Sequence, residues 1–428
     1  MSKFIRKENS LLGEVYYHAV HESGLAIYVI PKEFSTCYAT LTAKYGSIDN
    51  KFRFEGEDEY TEVPNGIAHF LEHKMFDNED GTDAFLRYGA TGAEANAFTS
   101  FIKTSYLFSC TERFNESLEI LLETVYKPYF TPETVAKEQG IIGEEIGMMN
   151  DNPGWVLMFN MLSGMYRDHS VKINIAGSAQ SISEITADTL YKCYNIFYQP
   201  SNMVLIACGK VEPDEVLAAV DRIVPKTPAR PFESVYAEEE DRVVNGYVEA
   251  KMDVARPIFS IGIKDTDISP APEGRLKKSA MLSVILETMF GPSSPIYNEL
   301  YEQGLITGTL SCDYEHNRAF SFLEVSGESE ECDTVIAKII EYIDTVKKGG
   351  LDTALFERAK KVVYAQTLKG FDSTEDINSM FLSNIVDGVD AFDLPETLAE
   401  VTKDQCDALI LRLFRDEART VSVVKPRG

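Results

Sequence analysis

The chain has 428 residues, with 41 Lys and Arg against 68 Asp and Glu, so its formal net charge is −27. This acidity argues against nucleic-acid binding and against electrostatic docking on anionic lipid, because both require a basic surface. Hydrophobic residues make up 44% of the chain, which is enough for sizeable cores, and the length suits two or three domains.

Three features of the sequence bear on the compartment. The first ten residues, MSKFIRKENS, lack the apolar core of a signal peptide. The chain also lacks an apolar run of about 18 residues, which a membrane-spanning helix would need. Its seven cysteines form no C-x-x-C pair, and their odd number disfavours a disulfide framework. We therefore expect a cytoplasmic protein that does not contact a membrane.

Strand and helix patterns alternate in both halves of the chain. In the first half, strand patterns cover 25–31, 37–46 and 202–209, and helix patterns cover 64–76, 131–149, 186–198 and 213–224. In the second half, strand patterns cover 244–253, 257–264, 309–326 and 419–426, and helix patterns cover 275–289, 295–303, 332–347 and 353–368. The segment between the halves is rich in proline and acidic residues and shows no helical or strand period, which is typical of a linker. The similar order of elements predicts two related α+β domains.

Two of the six histidines, His69 and His73, lie four residues apart in a segment in which Pro64 is a natural first helical residue. At 100° per residue, the apolar side chains fall on one side of this helix, and both histidines and Glu72 fall on the other. Imidazoles at positions i and i+4 can bind one metal ion, and Glu72 beside them can take a proton from a water molecule on the metal. The pattern is H-x-x-E-H, the inverse of the better known H-E-x-x-H.

A zinc site of this kind needs one more protein ligand. The next candidate helix begins at Thr131, a capping residue followed by proline. Glu138 and Glu145 are seven residues apart and share an apolar stripe of this helix, where carboxylates are costly unless something pairs with them. A metal ion and a histidine would do so; the alternative is an Arg or Lys from elsewhere in the chain. Glu144 points to the opposite side, which selects Glu145 over Glu144.

These motifs resemble those of the pitrilysin/insulinase family of inverted-zinc peptidases, which includes the β subunit of the mitochondrial processing peptidase. In that family, the two histidines of H-x-x-E-H and a glutamate that ends an E-x6-E pair bind zinc. The resemblance implies that His69, His73 and Glu145 bind Zn²⁺, that Glu72 is the catalytic base, and that Glu138 supports catalysis from behind the ligands.

Further stretches carry the resemblance along nearly the whole chain. Residues 92–99 are similar to the family segment whose Asn-Ala strand edge holds the substrate backbone, which implies that Asn96, Ala97 and Phe98 contact the peptide. The other similar stretches are 198–203, 290–295 and 302–305. The resemblance is greatest to the short, two-domain bacterial branch that contains the YmfH-like proteins.

The resemblance also implies an architecture. Each of two homologous domains would be a mainly antiparallel sheet covered by helices, and together they would form half of a clamshell chamber. We expect a zinc-binding catalytic domain at 1–225, a linker at 226–244 and a structurally similar non-catalytic domain at 245–428. Half a chamber implies a homodimer, or a heterodimer with a homologous subunit.

One departure from the family pattern affects substrate binding. Members of the family often carry an Arg and a Tyr seven residues apart on a helix of the second half, where they help to bind the substrate carbonyl. The nearest pair here, Arg358 and Tyr364, is six residues apart and therefore about 120° off one face. Either these residues do not have the family role, or a second polypeptide supplies those groups.

The main functional hypothesis is a zinc endopeptidase that cleaves unstructured peptides. One alternative is a peptide-holding or maturation subunit of a heterodimer, with little activity of its own. Another is a metal-dependent hydrolase of a non-peptide amide. Two histidines and one glutamate favour zinc but also admit manganese or cobalt.

Overall fold

The computed structural model describes residues 3–10, 12–79 and 81–427. The strands are β1 (Ile5–Asn9), β2 (Glu14–Val20), β3 (Ala26–Pro31), β4 (Cys37–Ala43), β5 (Lys51–Phe54), β6 (Thr61–Glu62), β7 (Glu94–Thr99), β8 (Thr104–Cys110), β9 (Met203–Gly209), β10 (Phe232–Ser234), β11 (Tyr247–Met252), β12 (Ile258–Asp265), β13 (Ser311–His316), β14 (Ser321–Glu328) and β15 (Arg419–Pro426). The helices are α1 (Ile67–Lys74), α2 (Ala84–Thr91), α3 (Phe114–Tyr126), α4 (Pro132–Asp151), α5 (Pro153–Met165), α6 (Ala179–Ser183), α7 (Ala187–Phe197), α8 (Pro213–Ile223), α9 (Pro272–Phe290), α10 (Pro295–Glu302), α11 (Cys332–Gly349), α12 (Thr353–Lys369), α13 (Thr374–Val386), α14 (Asp393–Glu400) and α15 (Lys403–Leu413). The predicted α+β class is confirmed.

The chain forms two compact units, and each unit draws on both halves of the sequence. The first contains Met1–Ile146, Asn174–Tyr236 and Gly370–Val386, and the second contains Gly147–Ile173, Ala237–Lys369 and Asp387–Gly428. The contiguous ranges 1–225 and 245–428 do not describe these units, because α5 belongs to the second unit and α13 to the first. A helix from each half thus completes the unit built mainly by the other half.

The first unit is built on a seven-stranded sheet with the order β1-β2-β3-β9-β4-β8-β7. β3 and β9 run parallel, and the other neighbouring pairs are antiparallel. Every residue of β4 and β9 is buried, which fits the apolar character of these two central strands. β7 is the last strand in the order, so its outer edge has no strand partner among the described residues.

The predicted linker contains a strand that its composition did not indicate. β10 pairs antiparallel with β5, so that Phe232 lies opposite Phe54, and a small β10-β5-β6 sheet results. The Phe232 ring also packs edge-on against Phe197, with 5.1 Å between the ring centroids. This aromatic packing supplies burial that a three-residue strand cannot obtain by itself.

The acidic run at 238–241 holds a structural carboxylate. Glu239 forms an ion pair of 2.7 Å with Lys264, a lysine that is 1% exposed. Its carboxylate also accepts hydrogen bonds from the backbone N–H groups of residues 167–169. Glu239 therefore ties this segment to the second unit, because a buried lysine requires a partner.

The sheet of the second unit repeats the central topology of the first. Its order is β11-β15-β12-β14-β13, with β11 and β15 parallel and the other pairs antiparallel. In the first unit, β3, β9, β4, β8 and β7 follow the same order and directions. The first strand of each set pairs with the last, and the third strand forms the edge. The two units therefore share one strand topology.

The two exchanged helices cover equivalent strands. Helix α13 packs on β9 and β4, and helix α5 packs on β15, β12 and β11. Within the second unit, Gly262 of β12 permits the close approach of α5, because a Cβ there would lie 2.6 Å from the sulfur of Met161. Within the first unit, fully buried Asn378 accepts a hydrogen bond from Thr40 at 2.9 Å and donates one to the carbonyl of Ile206.

Across the part of the chain that the structure describes, no helix combines the length and apolar character needed to cross a membrane. All seven cysteines carry free thiols, and only Cys312 is not fully buried.

Candidate metal centre

Helix α1 carries the H-x-x-E-H motif and begins later than the sequence predicted. Its first residue is Ile67, and Gly66 before it adopts a left-handed φ of 90°. A side chain at Gly66 would also clash, since its Cβ would lie 2.4 Å from the carbonyl oxygen of Ala176. Pro64 therefore lies outside the helix. All residues of α1 except His73 are buried, so the histidine face is enclosed like the apolar face.

Helix α4 supplies the two glutamates. Its apolar side chains Val135, Ile142 and Ile146 are buried. Glu138 and Glu145 lie on the stripe beside them and are only partly exposed, at 13% and 33%. Glu144 is exposed, as the helical angle predicted.

The predicted ligands converge on one point within the first unit. The Glu145 carboxylate lies 3.5 Å from His69 Nε2 and 3.4 Å from His73 Nε2. One ligand atom from each of the three residues lies within 4.8 Å of the others. The imidazole rings are tilted by 53°, with their centroids 4.6 Å apart, so both Nε2 atoms can face the same space.

The donor set fits a zinc ion. Two imidazole nitrogens and one carboxylate, with room for a fourth ligand, form a usual catalytic zinc set. His73 Nδ1 lies 3.1 Å from Glu138 Oε1, which fixes the ring and leaves Nε2 available for a metal. The distances of 3.4 Å and 3.5 Å from Glu145 to the two rings are long for hydrogen bonds, so the three groups surround a space instead of closing it.

The histidines and carboxylates of this site shift each other's pKa values. Burial works to lower the pKa of His73, but the carboxylates of Glu138, Glu72 and Glu145 outweigh it and raise that pKa. The pKa of Glu145 is lowered, chiefly by the neighbouring His69 imidazole. Because a ligating imidazole must be neutral, metal binding at this site would displace a proton from the histidine–carboxylate cluster.

Glu72 is placed beside the ligands but makes a different contact. It is 7% exposed, and its Oε2 accepts a hydrogen bond of 2.6 Å from the Thr99 hydroxyl. Burial raises the pKa of Glu72, against the opposing effects of His69 and the Thr99 hydrogen bond. A carboxylate with a raised pKa is better matched to proton transfer near neutral pH.

The predicted peptide-contacting residues lie on the edge strand β7. Asn96 and Phe98 are exposed, and Ala97 between them is half-buried. Strand alternation places Ala97 on the same face as Thr99, the residue that contacts Glu72. β7 thus combines an outer edge that pairs with no other described strand and a direct link to the predicted base.

Arg358 and Tyr364 both lie on α12 in the second unit. Arg358 is exposed, whereas Tyr364 is partly buried against the core of that unit. They therefore do not form the one-sided pair that the family pattern would require.

Two residues near the centre were not singled out from the sequence. Thr99 stands 27 residues after Glu72, and no local pattern links them. Lys74 follows His73 directly but has the sequence character of a surface residue; in the structure it is 1% exposed. Only the position of Lys74 directly after the motif could have drawn attention to it.

The fold and the cluster of two histidines and a glutamate are those of a family of zinc proteases with the inverted motif. Residues 55–179 match the family described as Insulinase (Peptidase family M16), and residues 184–363 match the one described as Peptidase M16 inactive domain. The chain belongs to the insulinase family, M16.

Individual relatives agree with this assignment. The chain is 39% identical over 426 residues to the uncharacterized zinc protease YmfH of Bacillus subtilis strain 168, covering 98% of this chain and 99% of the other. The crystal structure of an M16-like chain from Alicyclobacillus acidocaldarius matches with a TM-score of 0.91 and 30% identity, over 100% of this chain and 99% of that one. A protease from Helicobacter pylori has the same fold, with a TM-score of 0.80 and 18% identity, over 96% of this chain and all of that one.

Proposed function

We propose that this protein is a zinc-dependent endopeptidase that cleaves unstructured peptides. The observation that carries the proposal is the convergence of His69, His73 and Glu145 within 4.8 Å, with Glu72 buried on the same helix as the two histidines. A purely structural cluster would not need a desolvated carboxylate at Glu72 with a raised pKa beside a metal-binding donor set.

Each residue has a separate task in this proposal. His69, His73 and Glu145 hold the zinc ion, and Glu138 fixes the His73 ring through Nδ1. When bound, zinc polarises a carbonyl group and lowers the pKa of a water molecule on it. Glu72 accepts the proton of the attacking water at its carboxylate and passes it to the leaving amine.

The edge strand β7 supports a peptide substrate. An extended peptide can add to a free strand edge through main-chain hydrogen bonds, and Asn96, Ala97 and Phe98 lie along that edge. The exposed Phe98 side chain, at 39%, offers an apolar contact. Because the backbone supplies most of these contacts, we expect broad specificity among unstructured peptides.

A second candidate function is a peptide-holding or maturation subunit of a heterodimer. It is favoured by the position of Arg358 and Tyr364 on different faces of α12, because two residues placed in this way do not form the carbonyl-binding pair of the family. A homologous subunit, or a second copy of the chain, would then supply the missing groups. The seven free cysteines support a cytoplasmic location for such an assembly.

One experiment separates these functions. Purified protein, with zinc and with zinc removed by a chelator, is incubated with a mixed library of unstructured peptides, and mass spectrometry identifies the products. Cleavage that requires zinc, and that the variant Glu72→Gln lacks, is the expected result. Zinc binding without cleavage by the isolated chain would contradict the endopeptidase and favour the peptide-holding subunit. Size-exclusion chromatography of the same sample reports self-association.

A further inference from the structure

Lys74 is a buried charge at the end of helix α1, directly after the metal-binding residue His73. Its side chain is 1% exposed, and its ammonium contacts the carboxylate of Asp77. The same ammonium lies 3.9 Å from Glu138 Oε2. Burying an ammonium is costly unless it is paired, so these two carboxylates account for the tolerance of a lysine here.

Glu138 divides its two oxygens between different partners. Oε1 lies 3.1 Å from His73 Nδ1, and Oε2 faces the ammonium of Lys74. A distance of 3.9 Å is too long for a hydrogen bond, so Lys74 acts on Glu138 as a charge. With one oxygen held on each side, the Glu138 carboxylate has one favoured orientation.

We propose that Lys74 is a positioning residue of the metal centre, whose charge holds Glu138 in the orientation that fixes the His73 ring. This inference rests on the proposed metal centre and extends it by one residue. Without the ammonium, Glu138 can turn away from His73 Nδ1. The ring then loses the contact that directs Nε2 towards the space shared with His69 and Glu145. Mutation of a residue that hydrogen-bonds to a metal ligand typically lowers metal affinity by about 10- to 100-fold.

A competing explanation assigns Lys74 a purely structural role. The ion pair with Asp77 could simply stabilise the end of α1, in which case the contact with Glu138 would have no consequence for the metal. The two explanations differ in what a double-mutant cycle between Lys74 and Glu138 would measure.

Zinc affinity, measured by competition with a chromophoric chelator, is the readout, because it does not depend on peptide cleavage. We expect Lys74→Met to bind zinc about 10-fold more weakly than the unaltered protein. We expect the double variant Lys74→Met/Glu138→Gln to bind zinc no more weakly than Glu138→Gln alone. Unchanged affinity in Lys74→Met, or losses that multiply in the double variant, would overturn the proposal. Lys74→Gln, which keeps hydrogen-bonding capacity without the charge, is measured in parallel in case the methionine variant does not fold.

Two control variants test whether any loss reflects general damage. Asp77→Asn removes the other partner of Lys74 and is expected to retain the zinc affinity; a loss equal to that of Lys74→Met would support the structural explanation. Lys264→Met removes a lysine that is also 1% exposed and paired with a glutamate, but in the second unit. It is expected to lower stability and leave zinc affinity unchanged.

The outcome for Lys74 is separable from the outcome for the proposed function. If the protein binds zinc tightly but cleaves no peptide, the endopeptidase proposal fails, and the affinity cycle still decides the role of Lys74. If the unaltered protein binds no zinc, both proposals fail.

Discussion

The hydroxyl of Thr99 donates a hydrogen bond of 2.6 Å to the carboxylate of Glu72. Thr99 is the last residue of the edge strand β7, and Glu72 lies on helix α1, which carries two of the proposed metal ligands. One short contact therefore joins the strand on which we place the peptide to the group that we propose as the base.

Replacing Thr99 with valine tests this contact. Thr99→Val keeps the volume but removes the donor, so Glu72 can rotate away from the attacking water. We expect turnover of an unstructured peptide to fall about 10-fold or more, with zinc content unchanged by elemental analysis. Thr99→Ser keeps the hydroxyl and is the matched control. Equal activity of the valine and serine variants would show that the hydrogen bond has no catalytic part.

The proposed base is tested by Glu72→Gln. This change keeps the size of the side chain and removes its ability to accept a proton. Zinc binding is expected to persist, whereas turnover falls by at least about 100-fold. Glu144→Gln, on the exposed side of α4, is the control and should retain full turnover. Hydrolysis by the Glu72 variant at the normal rate would eliminate Glu72 as the base.

The proposed ligands are tested by metal content. His73→Ala removes one of the two imidazoles, and we expect bound zinc to fall from about one ion per chain to nearly none. Chelation of the unaltered protein should abolish hydrolysis, and added zinc should restore it. His18→Ala serves as a control, because His18 stacks on Tyr28 away from the H-x-x-E-H helix. Zinc retained in the His73 variant would require a different ligand set.

Stability in acid depends on His169 of the second unit. His169 is buried against Tyr166 and Phe320, and this burial lowers its pKa from 6.5 to about 4. The folded state therefore favours the neutral ring. The neutral ring contributes up to about 3 kcal/mol to the free energy of unfolding. This contribution is complete above pH 6.5 and is lost as the pH falls from 6.5 to 4.

The variant His169→Asn isolates that contribution. Asparagine can still accept the hydrogen bond that His169 Nδ1 receives from the backbone N–H of Val171, but it does not titrate. Urea unfolding of the variant should depend less on pH between 6.5 and 4. Part of the dependence should remain, because burial also lowers the pKa of His316. An identical pH dependence for the variant and the unaltered protein would refute the assignment.

The exchanged helix α13 is tested through Asn378, whose partner Thr40 is 338 residues away in the chain. Asn378→Ala leaves the buried Thr40 hydroxyl without its acceptor, so we expect a loss of about 2 kcal/mol of unfolding free energy. Asn384→Ala, on the same helix, removes only a bond to the carbonyl of Met380 and should cost much less. In combination with Thr40→Val, the loss from Asn378→Ala should shrink. Additive losses would show that the contact contributes nothing to stability.

Much of the fold follows from local patterns. Alternating apolar residues predicted most of the main strands, and the helical angle placed Glu138 and Glu145 on one stripe with Glu144 facing away. The start of α1 was predicted three residues too early, because Pro64 suits a first helical turn. The observed start follows Gly66, whose left-handed φ and close approach to Ala176, more than a hundred residues later, are features of the folded chain.

The sequence by itself predicted the candidate site residues, because the spacing of His69 and His73 on one helix, and of Glu138 and Glu145 on another, is a short-range relationship that helix geometry fixes. Their convergence depends on packing between separate elements, as do the contacts of Thr99 with Glu72 and of Lys74 with Glu138. The exchange of α5 and α13 between the units also depends on tertiary structure. Contacts between residues far apart in the chain determine which sheet each helix covers, and no local sequence pattern predicts them.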